Sequence, residues 1–127
     1  MSIRFGNPPF LECSSHGDKR FSAFYARIKA FQNTSIEELY QGIKIFPDGS
    51  TGLEWKKAKG RGCVNQFQAS CYYSTFWDLY IKENPNLLKI IMQYNGFSDV
   101  FGQPDHCCQA EEIFRIHQSE LLRLQNE

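Results

Sequence analysis

The chain lacks an excess of charge of either sign: 14 Lys and Arg stand against 14 Asp and Glu, for a formal net charge of zero in 127 residues. That excludes a protein that coats nucleic acid or membranes by bulk electrostatics, so any contact with a polyanion has to be local. No stretch approaches the ~20 apolar residues of a membrane-spanning helix. The first residues, Met-Ser-Ile-Arg-Phe-Gly-Asn-Pro-Pro, contain no apolar run of signal-peptide length, so the expectation is a cytoplasmic protein with no membrane partner. Repeats, low-complexity tracts and linkers are missing too, and residues 1–127 are expected to form one domain. Paired CxxC spacing is also absent. Cys13, Cys63, Cys71, Cys107 and Cys108 are odd in number, and adjacent Cys107 and Cys108 make no relaxed bridge with each other. Cys13 with His16, and His106 beside Cys107, give only a weak hint of zinc. The expectation is reduced thiols acting as small buried hydrophobes, with no metal site and no cofactor.

Aromatic residues are plentiful: eleven Phe, six Tyr and two Trp. They supply most of the core of a chain whose folded surface should be roughly 7,000 Å² against roughly 21,000 Å² unfolded. Residues 1–33 read as extended and turn-rich, with one or two short strands between breakers such as Asn7-Pro8-Pro9. Ser35 followed by Glu38 is a capping box, and Ile36, Leu39, Tyr40 and Ile43 recur at helical spacing until Pro47-Asp48-Gly49. A short helix is expected over Leu53 to Lys59, and an aromatic helix over 64–82 that carries Phe67, Tyr72, Phe76, Leu79 and Tyr80. Asn84-Pro85 opens a further helix that stops at Asn95-Gly96. The last, about 107–125, stripes Ala110, Ile113, Phe114, His117, Leu121 and Leu124, with a Glu111 to Arg115 pair outside the stripe. The expected class is mainly α (α+β), with a small N-terminal β element.

Three patterns bear on chemistry. Glu37, Gln41 and Lys44 fall at i, i+4 and i+7, on one helix face opposite the apolar one; such a stripe is either a solvated surface or a site. Lys56-Lys57-Ala58-Lys59-Gly60-Arg61-Gly62 puts four cations within six residues, as a solvated loop or as a phosphate-binding turn. Phe21-Ser22-Ala23-Phe24-Tyr25 is an aromatic cluster that serves the core or stacks on a base.

In order, Phe21-Ser22-x-Phe24-Tyr25, Ser35-Ile36-Glu37-x-x-x-Gln41-x-x-Lys44, Gly60-Arg61 and Asn84-Pro85-x-Leu87-Leu88 resemble the NADAR (YbiA-like) family. That family's pattern is an FSNFY-like segment, an SxEHxxQxxK helix, a GR, a KFxxNPxL helix start and a DxxWG-like motif. The likeness spans roughly residues 20–102. Ala23 stands at the family's Asn and Glu38 at its His, and Asp99-Val100-Phe101-Gly102 is a shortened echo of DxxWG; a second alignment leaves that motif without a counterpart.

The resemblance implies a mainly α fold and cleavage of N-glycosidic bonds in ribosyl compounds, either phosphoribosylamino-pyrimidine intermediates or ADP-ribose on guanine. It implies Glu37 as the catalytic carboxylate and Phe21, Tyr25, Gln41, Lys44, Arg61, Asp99 and Phe101 as substrate-binding residues. Lys44 and Arg61 would hold phosphate, Gln41 would orient ribose hydroxyls or water, and Phe101 or Tyr25 would stack on the base. A carboxylate suits such a reaction because the ribose becomes oxocarbenium-like as the bond breaks. Two rivals remain: a module that binds a ribosyl nucleotide without turning it over, and a nucleic-acid-contacting protein using the 56–61 loop, which a steep salt dependence would reveal.

Overall fold

The computed structural model describes residues 2–103 and 107–127. Two short strands, β1 (Ile3–Gly6) and β2 (Phe10–Glu12), begin the chain, as its composition suggests. Between them runs β5 (Gly96–Asp99), antiparallel to β1 and parallel to β2, giving the order β1-β5-β2. The β element is therefore not purely N-terminal, since its central strand arrives from late in the chain. Asn95-Gly96 does more than stop a helix. A Cβ at Gly96 would come within 2.5 Å of the Phe10 ring and 2.6 Å of the Asn7 carbonyl, so only glycine lets the strands approach.

A second ribbon pairs β3 (Arg27–Ile28) with β4 (Thr34–Ser35), and β4 runs directly into α1 (Ile36–Gly42). Ser35 caps α1: its Oγ accepts from the Glu38 amide at 3.1 Å and donates to Glu38 Oε1 at 2.9 Å. The capping box is thus a variant in which Glu38 meets the Ser35 hydroxyl rather than its amide. Two further first-turn amides are satisfied by the preceding segment, Ile36 donating to the Ala26 carbonyl at 2.9 Å and Glu37 to that of Ala23 at 3.0 Å. α1 ends sooner than its apolar period suggests, so Lys44 lies just past it on a loose turn, its amide 3.4 Å from the Gln41 carbonyl.

α2 (Trp55–Ala58) follows, then the long α3 (Gln66–Glu83), α4 (Pro85–Ile91) with proline in its first turn, and α5 (Gln109–Gln125). α3 packs against α1, α4, α5 and β3, while α5 covers β1 and β5. Of the residues named for α3, Phe76 and Tyr80 are buried, together with Ala69, Tyr73, Trp77 and Ile81, whereas Phe67 is 85% exposed and Tyr72 is exposed. With aromatics on every side of the helix, the fully buried Trp77 fixes its rotation. In α5, Ile116 joins Ala110, Ile113 and His117 inside, whereas Leu121 and Leu124 are exposed. Arg115 pairs with Glu112 and Asp78 rather than with Glu111.

One continuous buried cluster runs from Leu11 through Ile36 and Trp77 to Ile116, and the accessible surface is 7525 Å². No helix among the described residues is long and apolar enough to cross a membrane.

Candidate functional site

The polar face of α1 is buried along with its apolar one. Glu37 is 9% exposed, Gln41 4% and Lys44 5%, so this stripe is not a solvated surface. Taking a carboxylate, an amide and an ammonium out of water together is costly, and such groups normally neutralise one another by direct pairing. Here they do not. Gln41 Nε2 donates to Glu37 Oε1 at 2.8 Å. Gln41 Oε1 finds no partner among the described residues. Lys44 Nζ makes only a long contact, 3.5 Å, with the Arg61 carbonyl, and stands 5.2 Å from the Tyr40 ring centroid. The salt bridges among the described residues all lie elsewhere, on Arg20, Arg115 and Arg123.

The electrostatics follow from this burial. Burial pushes the Glu37 carboxyl above its ordinary range, opposed by the Gln41 amide and then by the positive charges of Lys59 and Lys44. Burial also lowers the Lys44 ammonium, with Cys63, Glu37 and Cys107 acting against it. Desolvation beside opposite charge is the usual setting of functional ionisable groups.

Lys59, which follows α2, is the other positive charge that acts on Glu37. Its Nζ lies 4.8 Å from the Phe24 ring centroid and 5.9 Å from that of Trp55. Those two rings meet edge-on at 5.6 Å, and Lys56 Nζ stands 5.6 Å from the Trp55 ring. α2, which carries Trp55, packs on α1, which carries Glu37. Sequence reasoning named Phe24 and Lys59 only as members of their aromatic and basic runs and passed over Trp55; the signal was a tryptophan set directly against a lysine run.

The other expected ligand residues are placed differently. Phe21 is fully buried in the core and presents no face to a ligand. It lies in the same motif as the exposed Phe24, and a motif does not specify which ring turns inward. Tyr25 is 51% exposed, with Lys19 Nζ 4.9 Å from its ring centroid. Arg61 offers Lys44 its carbonyl, while its guanidinium lies 4.2 Å from the centroid of Phe46. Asp99 is buried and its carboxylate is spent internally, accepting from Gln109 Nε2 at 2.9 Å, from the Phe101 amide at 2.9 Å and from Cys108 Sγ at 3.7 Å. Gln109 Oε1 in turn accepts from the Ala23 amide at 2.7 Å, and Ala23 holds Glu37. Both Asp99 carboxylate oxygens thus accept from groups of the protein itself. Phe101 is exposed, and its ring partner is His16, edge-on at 4.7 Å.

All five cysteines are free. Cys13 and Cys108 are buried as expected, but Cys63 and Cys107 are half-buried and Cys71 is exposed, so three of the thiols are not core residues. Burial pushes the Cys108 thiol up to about 11. Among the described residues no three His, Cys, Asp or Glu side chains gather to hold a metal; His106 lies outside the described residues. A groove of about 280 Å³ between α3, α4 and α5, lined by Ile81, Leu88, Arg115 and Arg123 among others, shares no residue with the Glu37 group. Its two arginines are already paired to carboxylates.

No family model matches the chain, and no curated protein matches it.

Proposed function

We propose that the chain is an N-glycosidase of a phosphorylated ribosyl compound, a divergent relative of the NADAR family, with Glu37 as its catalytic carboxylate. The observation that carries this reading is the burial of Glu37, Gln41 and Lys44 side by side with no ion pair among them. Burial of a carboxylate and an ammonium without an ion pair between them supports the reading, because a ligand of mixed charge would complete both.

In the proposed reaction the bond between the anomeric carbon and the base nitrogen breaks, its electron pair leaving with the base. The positive charge that develops on the ribose is met by the Glu37 carboxylate, held by Gln41, and water then adds to the anomeric carbon, keeping one proton as the new hydroxyl and passing the other to the nitrogen of the released base. Lys44 and Lys59 supply cations for phosphate, a wider pairing than Lys44 with Arg61. Phe24 and Trp55 offer aromatic surface for the base.

A panel of ribosylated compounds incubated with the protein, with released base followed by mass spectrometry, tests the reading. Release from at least one phosphorylated member is expected. Ligand binding with no release from any member would leave a binding module and refute the glycosidase.

A further inference from the structure

We propose that Asn65 is the positioning residue of Lys44: its carboxamide grips the backbone on both sides of that lysine and so holds the ammonium out of water. The role of Lys44 toward a phosphate rests on the ribosyl-phosphate reading above; the grip itself does not. α1 ends loosely. Beyond Gly42 the helical bonds are long, the Ile43 amide lying 3.4 Å from the Tyr40 carbonyl and the Lys44 amide 3.4 Å from that of Gln41. Bonds of that length hold a turn weakly. Lys44 is nevertheless 5% exposed, while Ile45 after it is 37% exposed. The helix alone does not turn the lysine inward.

The short bonds come from the segment that leads from α2 into α3. Asn65 Oδ1 accepts from the Ile45 amide at 2.8 Å, and Asn65 Nδ2 donates to the Ile43 carbonyl at 3.0 Å. One side chain thus takes a donor and an acceptor from the two residues that flank Lys44. The Val64 amide adds a bond to the Ile45 carbonyl at 2.7 Å, and the Arg61 carbonyl stands 3.5 Å from Lys44 Nζ. The pairing also fixes which way the amide points. Turning it over would set its oxygen against the Ile43 carbonyl and its NH2 against the Ile45 N–H.

Asn65 stands where its side chain has another use. It opens α3, a position at which asparagine is favoured because its oxygen accepts from an amide of the first turn. Among the described residues that oxygen makes no such bond and goes to Ile45 instead. Nδ2 is shared between the Ile43 carbonyl and Gln68 Oε1, the latter at 3.0 Å. α3 therefore forgoes its cap, and two of the three bonds of the carboxamide go to the residues around Lys44. A lysine with no salt bridge among the described residues gains by swinging its ammonium out to water, and a fixed backbone on either side opposes that swing.

Asn65→Ser separates the grip from the cap, because serine starts a helix as well as asparagine does but is too short to bond Ile43 and Ile45. The first measurement needs no ligand. It is the titration of the Lys44 side chain by NMR in the wild type and in Asn65→Ser, with the signal assigned through Lys44→Met. Burial holds the wild-type ammonium below the ordinary lysine range, against the charges of Cys63, Glu37 and Cys107; the variant is expected to titrate closer to that range with α3 intact. An unchanged titration overturns the grip. The second measurement is calorimetric titration with methyl β-ribofuranoside 5-phosphate and with methyl β-ribofuranoside. The wild type is expected to prefer the phosphorylated sugar, and Asn65→Ser to cut that preference about tenfold. A preference that survives in full overturns the positioning role. A wild type with no preference overturns the ribosyl-phosphate reading, and the Lys44 titration then judges Asn65 by itself. If Asn65→Ser fails to fold, hydrogen exchange of the wild-type Ile45 amide decides: protection supports the grip, and exchange at the rate of an unstructured amide overturns it.

Discussion

The burial of Glu37 works against its ionised form and so against the fold. Its carboxyl is raised by burial, so between the ordinary glutamate range and its folded value the native state carries a proton that the unfolded chain has lost. Stability therefore falls as pH rises through that window, and above it the penalty persists in full. Lys44 runs the opposite way: its lowered value means that stability rises with pH in the alkaline range, as the buried ammonium discharges before its unfolded counterpart does. Glu37→Gln should accordingly be more stable than the wild type at pH 8, and the advantage should vanish near pH 4. Urea titrations across that range check the sign. A variant that is less stable at pH 8 would mean that the ionised carboxylate is well solvated in the fold.

At the scale of elements, α1 is positioned from both ends of the chain. Ser35 caps it, and Ser35→Ala should cost about 1 kcal/mol in chemical denaturation. Its first turn hangs on Ala23, which Gln109 ties to Asp99. Gln109→Leu strands a buried amide and weakens the hold on a buried carboxylate, so a loss of about 1–3 kcal/mol for each is expected from the same measurement. A neutral result would show that the tie is dispensable.

How legible these elements were depends on where their signals sit. α1, α4 and α5 announce themselves through local features: Ser35 with Glu38, Asn84-Pro85, and an apolar row from Ala110 to His117. β5 does not, because a four-residue strand with a single large apolar side chain, Phe97, is defined by its partners in β1 and β2, far away in sequence. The site divides in the same way. Glu37, Gln41 and Lys44 share a face that spacing alone reveals, but their burial does not follow from spacing. Lys59, Trp55 and Phe24 meet one another only in the folded chain, where α2 packs on α1. A motif names residue types, and tertiary packing decides that Phe21 and Asp99 are buried while Phe24 and Phe101 are exposed.

For the whole molecule, burial ranks the thiols. Cys13 is inaccessible and raised by its surroundings, Cys108 is buried, and Cys71 is exposed on α3. A thiol reagent added to the native protein should label Cys71 first and reach Cys13 and Cys108 only on unfolding, as peptide mapping would report. Early labelling of Cys13 would contradict the packing of β2 against β5.

The fold and the proposed chemistry meet in two adjacent acids with different tasks. Glu38 is exposed and serves the Ser35 cap, whereas Glu37 is buried beside Gln41. The most direct measurement is the rate of base release by the wild type, Glu37→Gln and Glu38→Gln on whichever ribosylated compound the wild type cleaves. Glu37→Gln should be slower by on the order of 10²-fold or more, because it removes the charge that meets the developing cation, while Glu38→Gln should stay close to wild type. Full activity in Glu37→Gln, or its loss in Glu38→Gln alone, would contradict the account.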